Sequence, residues 1–139
     1  MFKKLILAVV VVFLLWSALD FVVHKQLLAK DYEAKKELWR GPDAIMENAL
    51  HVVRFVFVLC FVALYACAKA EKSVASAVKY GFLYGLGVAV WISFGTYATM
   101  PIELNMAITW AAGILVSSIL GGLATGLIFG KCCCCKEEK

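Results

Sequence analysis

Proline and charge are what this 139-residue chain has least of: there are 2 prolines, and charged residues make up 17%. Neither Pro42 nor Pro101 falls inside an apolar run, so no segment carries the helix break that often marks a transporter's substrate site. The longest piece outside the apolar runs, residues 24–48, is too short to bury a core of its own. No second, water-soluble domain is therefore expected.

Catalytic constellations are missing too. There is no Gly-rich loop after a strand, no pair of carboxylates flanking a polar cleft, and no serine or cysteine beside a histidine and an orienting acid. The sequence thus offers no catalytic residue and implies no cofactor. No basic face exists outside the membrane flanks, which leaves no basis for nucleic-acid binding.

What the chain does have is oil. Hydrophobic residues make up 63% and the mean hydropathy is +0.86, against roughly 45–50% apolar content in a soluble domain. The excess is gathered into four runs, residues 5–23, 49–68, 75–98 and 104–129. Each is near or above the roughly 20 residues a helix needs to cross a bilayer. A segment in lipid must satisfy its own backbone, so these runs predict helices. The expected fold is all-α: one membrane domain over residues 1–139, a four-helix transmembrane bundle with an interfacial helix between spans 1 and 2.

Lys3 and Lys4 ahead of the first run resemble the start of a secretory signal. The run continues to Val23, and Trp16 stands where cleavage after Ala18 would need a small residue, so an uncleaved first helix is expected. Basic residues set the orientation. Lys3, Lys4, Lys69, Lys72, Lys131, Lys136 and Lys139 fall on one side. The other side receives residues 100–103, with no basic residue, and segment 24–48, which holds Lys25, Lys30, Lys35, Lys36 and Arg40 beside five acidic residues that count little toward the rule. The balance predicts both termini in the cytoplasm.

Within that external segment Leu28, Tyr32 and Trp39 recur at near-helical spacing opposite Lys and Glu, the pattern of a helix in the interface or of a continuation of span 1. Gly41-Pro42 ends it, and Pro42 suits the first turn of the next helix, with Asp43 complementing the dipole. Short links at residues 69–73 and 100–103 predict antiparallel hairpins.

Span 3 places small residues at every fourth position: Ala77, Gly81, Gly85, Ala89 and Ser93. Span 4 has two such rows. The first is Gly113, Ser117, Gly121 and Thr125; the second is Ser118, Gly122, Gly126 and Gly130. In lipid, close backbone approach is a main source of helix association. Spans 3 and 4 are expected to pack on each other within one chain, or else one row of span 4 is spare and mates with another protein or another copy. The first row reads as internal packing, and the second is left open between the two.

Ionisable groups in a bilayer are expensive and mark candidate sites. Asp20, His24, His51, Arg54, Tyr97 and Glu103 all fall at similar depth near one end of the spans. Asp20 and Arg54 can pair between antiparallel neighbours. The cluster reads as a register-fixing ion pair or as a polar vestibule in which a histidine titrates or binds a ligand. A metal or haem held by His24 and His51 would need further ligands, for which only Glu47 and Glu103 offer themselves.

Cys60 and Cys67 lie within span 2 and behave there as small hydrophobes. Cys132, Cys133, Cys134 and Cys135 follow span 4 beside Lys131 and Lys136. Four adjacent thiols are poorly spaced for one tetrahedral zinc, suit Cu(I) better, and in a eukaryote would sit where S-palmitoylation occurs. A tail without a special role is the simplest reading.

The stretch His24…Leu27-Leu28…Tyr32…Leu38-Trp39-Arg40, after one apolar span and before three more, resembles small uncharacterised bacterial four-span integral membrane proteins. The resemblance covers most of the chain up to Gly130 and implies a bacterial inner-membrane setting. It brings no activity, cofactor or catalytic residue, and the cysteine tail is not part of it. The partners expected are the lipid bilayer and either a second copy or a larger membrane complex. The leading functional expectation is a non-enzymatic packing or accessory component. The alternative is a small-solute or ion transporter acting as an oligomer, using Asp20, His51 and Arg54. A redox or metal-binding subunit comes third.

Overall fold

The computed structural model of the protein describes residues 2–41, 44–68 and 72–130. Among them there is helix and no strand. Four helices are long and apolar enough to cross a membrane: Phe2–Leu27, Glu47–Cys67, Val74–Thr99 and Leu104–Phe129.

Helix α1, Phe2–Phe21, contains the run Val9–Val12, whose branched side chains are stiff and favour strands in water. The cost of unpaired backbone in lipid overrides that preference. Its buried residues Ala8, Val9, Val12 and Trp16 form one stripe facing the bundle. A π-helical segment, Val22–Leu27, continues α1. The Leu28 amide reaches back five residues to the Val23 carbonyl at 3.0 Å, which closes it.

The helix expected between the first two spans is present as α2, Ala29–Ala34, followed by a 3₁₀ turn at Lys36–Leu38. Leu28 is buried beside Ile102, Met106, Ala107 and Trp110, with Tyr32, Leu38 and Trp39 packed around them. The segment thus folds over the start of the last helix. Sequence signals start the next helix near Pro42, but α3 runs Glu47–Cys67. The Ala44 amide bonds to the Gly41 carbonyl and the Glu47 amide to Ile45. These local turns consume the donors and acceptors an earlier helix would need, and Met46 is non-helical at φ −86°, ψ 74°. Pro42 and Asp43 lie outside the described residues.

Lys72 Nζ donates to the Ala68 carbonyl at 2.6 Å and to that of Tyr65, closing the end of α3 with a cation where the dipole favours one. Ser73 and Ser76 then form a reciprocal capping box that opens α4, Val74–Ala89. A π-helical turn, Val90–Phe94, joins α4 to α5, Gly95–Thr99. Helix α6, Leu104–Phe129, returns.

The ridge of α4 (Ala77, Gly81, Gly85, Ala89) and Ser93 of the following turn are buried. It meets the second row of α6: a Cβ on Gly81 would lie 3.2 Å from the Gly122 Cα, against the Ser118 carbonyl. A Cβ on Gly126 would lie 2.8 Å from that of Ala77. The first row of α6 is taken as well. Val23 stands 3.0 Å from where a Gly113 Cβ would be, and the Trp16 indole 2.8 Å from that of Gly121. Neither row is spare. The first row packs within the chain, as expected, against α1, and the second, which the spacing left open, is filled by α4.

Helices α3 and α4 are neighbours of a different kind. Phe61 and Tyr80 stack with centroids 4.9 Å apart, Phe57 with Tyr84 at 5.8 Å and Tyr65 with Tyr80 at 5.6 Å. The Tyr80 hydroxyl donates to the Phe61 carbonyl at 2.8 Å. Rings rather than glycines set this spacing. The centre of the bundle is filled by Val12, Trp16, Val58, Phe61 and Val62.

Candidate functional site

At the end of the bundle opposite Lys3, Lys4 and Lys72, charge enters the apolar frame. Asp20 is the penultimate residue of α1, and Arg54 lies two turns into α3. Arg54 donates from Nε at 3.0 Å and from Nη2 at 2.8 Å, both to Oδ2 of Asp20. Its Nη1 reaches the Ser17 hydroxyl at 3.3 Å and approaches His51 Nδ1 at 3.5 Å. Ser17 Oγ itself donates to the Phe13 carbonyl at 2.7 Å. The pair is only part-buried, with 20% of the Arg54 side chain and 41% of the Asp20 side chain exposed.

On the other side of Asp20 the π-helical turn carries His24, whose Nδ1 lies 2.6 Å from the Tyr32 hydroxyl. The Trp110 indole N–H donates to the same hydroxyl at 2.9 Å. An indole can only donate, so the phenolic oxygen accepts from Trp110 and its own proton stays available to His24 Nδ1. Burial holds the Tyr32 phenol above its ordinary value of 10.0, a rise the Trp110 hydrogen bond partly offsets. It therefore remains a neutral hydroxyl at physiological pH.

Trp39 completes an aromatic corner. Its ring meets Tyr32 at 5.2 Å and 83°, and Trp110 at 6.0 Å and 75°. The Trp39 Nε1 atom is buried and has no hydrogen-bond partner among the described residues. These rings, with Asp20 and His24, line a recess of ≈ 410 Å³ whose far wall is Ile92 and Thr96 from the end of α4–α5. Its floor is Gly113 and Ile114 of α6. Arg54 is not in the lining, so among the described residues Asp20 is the one fully charged side chain the recess presents.

Of the six sequence candidates, Asp20, Arg54, His51 and His24 are linked through Asp20 and its neighbours. Tyr97 and Glu103 are not brought in. Tyr97 is 42% exposed and makes no hydrogen bond or ring contact among the described residues. Glu103 is exposed as the N-terminal flank of α6 and makes no side-chain cap. The π-helical turn at Val90–Phe94 shifts the register of α5, so Thr96 faces the recess instead of Tyr97. Among the described residues no three His, Cys, Asp or Glu side chains gather as a metal site, so His24, His51, Glu47 and Glu103 form no ligand set. Cys60 and Cys67 are free and exposed on α3. Cys132–Cys135 lie outside the described residues.

The sequence gives no signal for Trp110 or Thr96 at this site, and it marks Tyr32 and Trp39 as part of an interfacial helix suited to association and not as a wall of a recess. Tryptophan and tyrosine near a span end are read by default as interfacial anchors. Sequence reasoning also passed over Lys79, exposed near the start of α4, where a long stem can keep its ammonium out of the apolar layer. Comparison with protein family models, with curated proteins and with solved structures finds no match for this chain.

Proposed function

We propose that the protein is a non-enzymatic accessory component of a membrane assembly, working as a four-span anchor that joins a larger complex or its own copies. The observation that carries this reading is the closed interior. Trp16 sits across the bundle between Phe57 at 5.6 Å and Phe61 at 5.2 Å, bonded to α6 through the Ser117 carbonyl. A solute path through one chain would have to pass that plug, and the dense α4–α6 seam leaves no second route. Transport through the chain itself is thereby disfavoured.

What remains for recognition is the outward surface. Along α4 and the turn after it Leu83 is 66% exposed and Trp91 81%. Such faces suit lipid or the spans of a partner. Seven lysines at one end against the five basic residues of segment 24–48 support a cytoplasmic lysine end, with both termini there, and the resemblance to bacterial four-span proteins supports an inner-membrane home.

Mild-detergent extraction followed by native mass measurement tests the reading. The expected species is heavier than the 15.3 kDa chain, and proteoliposomes made from it stay sealed to small solutes. A lone monomer, or a homo-oligomer that conducts solute, overturns it.

A further inference from the structure

The recess at the polar end has a chemistry that the anchoring role does not use. We propose that it is a binding site for a small organic ammonium group, the Asp20 carboxylate supplying the counter-charge and Tyr32, Trp39 and Trp110 supplying ring surface. This goes beyond the accessory reading and stands whether or not a complex is isolated.

Charge placement selects the sign of the ligand. Both Arg54 contacts fall on Oδ2 of Asp20, which leaves Oδ1 free to accept from another group. Because Arg54 itself does not line the recess, a ligand there meets the carboxylate and not the guanidinium. An anion is disfavoured on the same ground. A metal ion is disfavoured by the donors: one carboxylate, and one imidazole whose Nδ1 is already engaged by Tyr32.

The walls select an organic cation over a bare inorganic one. Three aromatic rings pack within 6.5 Å of one another; Trp39 stands at 83° to Tyr32 and 75° to Trp110, while Tyr32 and Trp110 are inclined by only 31°, so the rings offer π-surface in two orientations. Ring quadrupoles attract an alkylated ammonium, whose methyl or methylene groups also gain from apolar contact with Val23, Ile92 and Ile114. The Trp39 N–H is buried away from the open space, so Trp39 contributes ring surface to the lining. An alkylated ammonium such as an alkanolamine occurs both as a free solute and as the headgroup of a zwitterionic lipid. The volume of ≈ 410 Å³ leaves room for either.

The test uses the full chain in nanodiscs of anionic phosphatidylglycerol, with choline as probe and its neutral isostere 3,3-dimethylbutan-1-ol as control, read by calorimetry. Choline is expected to bind saturably, and the isostere roughly tenfold more weakly or worse. Asp20→Asn and Trp39→Leu are each expected to weaken choline by about tenfold or more. Should Asp20→Asn fail to fold, Trp39→Leu keeps the test alive, because Trp39 lies outside the four long helices and its N–H has no partner to lose. Repeating the titration in phosphatidylethanolamine or phosphatidylcholine discs separates the sources. Lost choline binding there identifies the headgroup as the occupant, and unchanged binding identifies a free amine. Equal binding of choline and its isostere, or choline binding unmoved by Trp39→Leu, overturns the proposal.

Discussion

The indole N–H of Trp16 in α1 donates to the backbone carbonyl of Ser117 in α6 at 2.6 Å, and the ring occupies the space a side chain on Gly121 would need. One residue thereby plugs the interior and locks two helices together. Trp16→Ala is expected to cost about 3–5 kcal/mol, the range for deleting a buried aromatic. Trp16→Phe keeps most of the ring and loses the hydrogen bond, about 1 kcal/mol. Equilibrium unfolding in mixed detergent measures both.

The seam between α4 and α6 predicts a sharp positional contrast. A Cβ at Gly122 would press on the Ala77 carbonyl and lie 3.2 Å from the Gly81 Cα, whereas at Gly87 nothing comes within 4 Å. Backbone on both sides cannot retreat without parting the helices. Gly122→Leu should destabilise by about 1–3 kcal/mol or more, and Gly87→Leu should be close to neutral in the same unfolding titration.

For the Asp20–Arg54 pair, removing either partner strands the other at a part-buried position. Arg54→Leu and Asp20→Asn are each expected to lower stability by about 1–2 kcal/mol, less than the 3–5 kcal/mol of a fully buried pair because Asp20 is substantially wet. The double variant should recover much of that loss. A coupling energy near zero in the cycle would mean the pair does not fix the register of α1 against α3.

Tyr32 gives a pH dependence with a defined sign. Burial raises its folded value above 10.0, so the native state holds the phenolic proton more tightly than the unfolded chain does. The associated stability is complete below about pH 10 and is lost as pH rises through the folded value. Wild type should therefore lose more stability above pH 10 than Tyr32→Phe, whose loss through the missing hydroxyl is independent of pH. Parallel slopes for the two proteins would contradict the placement of the hydroxyl among Trp110 and His24.

The sequence pattern made some of this legible. Length and hydropathy located four helices because lipid leaves backbone few other options. Asp20 and Arg54 could be paired from depth alone, since opposite charges on adjacent spans have few alternatives. The α4 ridge was legible from its spacing. So was its partner, since the ridge packs on the second row of α6 as expected; what the spacing did not say is that the first row meets α1, where Trp16 fills it from 101 residues away. Depth also could not distinguish Thr96 from Tyr97, because a π-helical turn rotates the next helical turn about the axis without changing its height. The aromatic corner stayed hidden because Tyr32, Trp39 and Trp110 are brought together by the fold of residues 28–39, which no periodicity encodes.

The distance in sequence between Trp16 and Ser117 constrains biogenesis. A nascent chain emerging from the ribosome exposes the first span's indole long before its acceptor has been synthesised. Until then that N–H and the groove around it must be sheltered by the insertion machinery or by lipid. The protein therefore matures only after its C-terminal portion is released. A stalled or truncated translation product should remain an open, protease-sensitive intermediate.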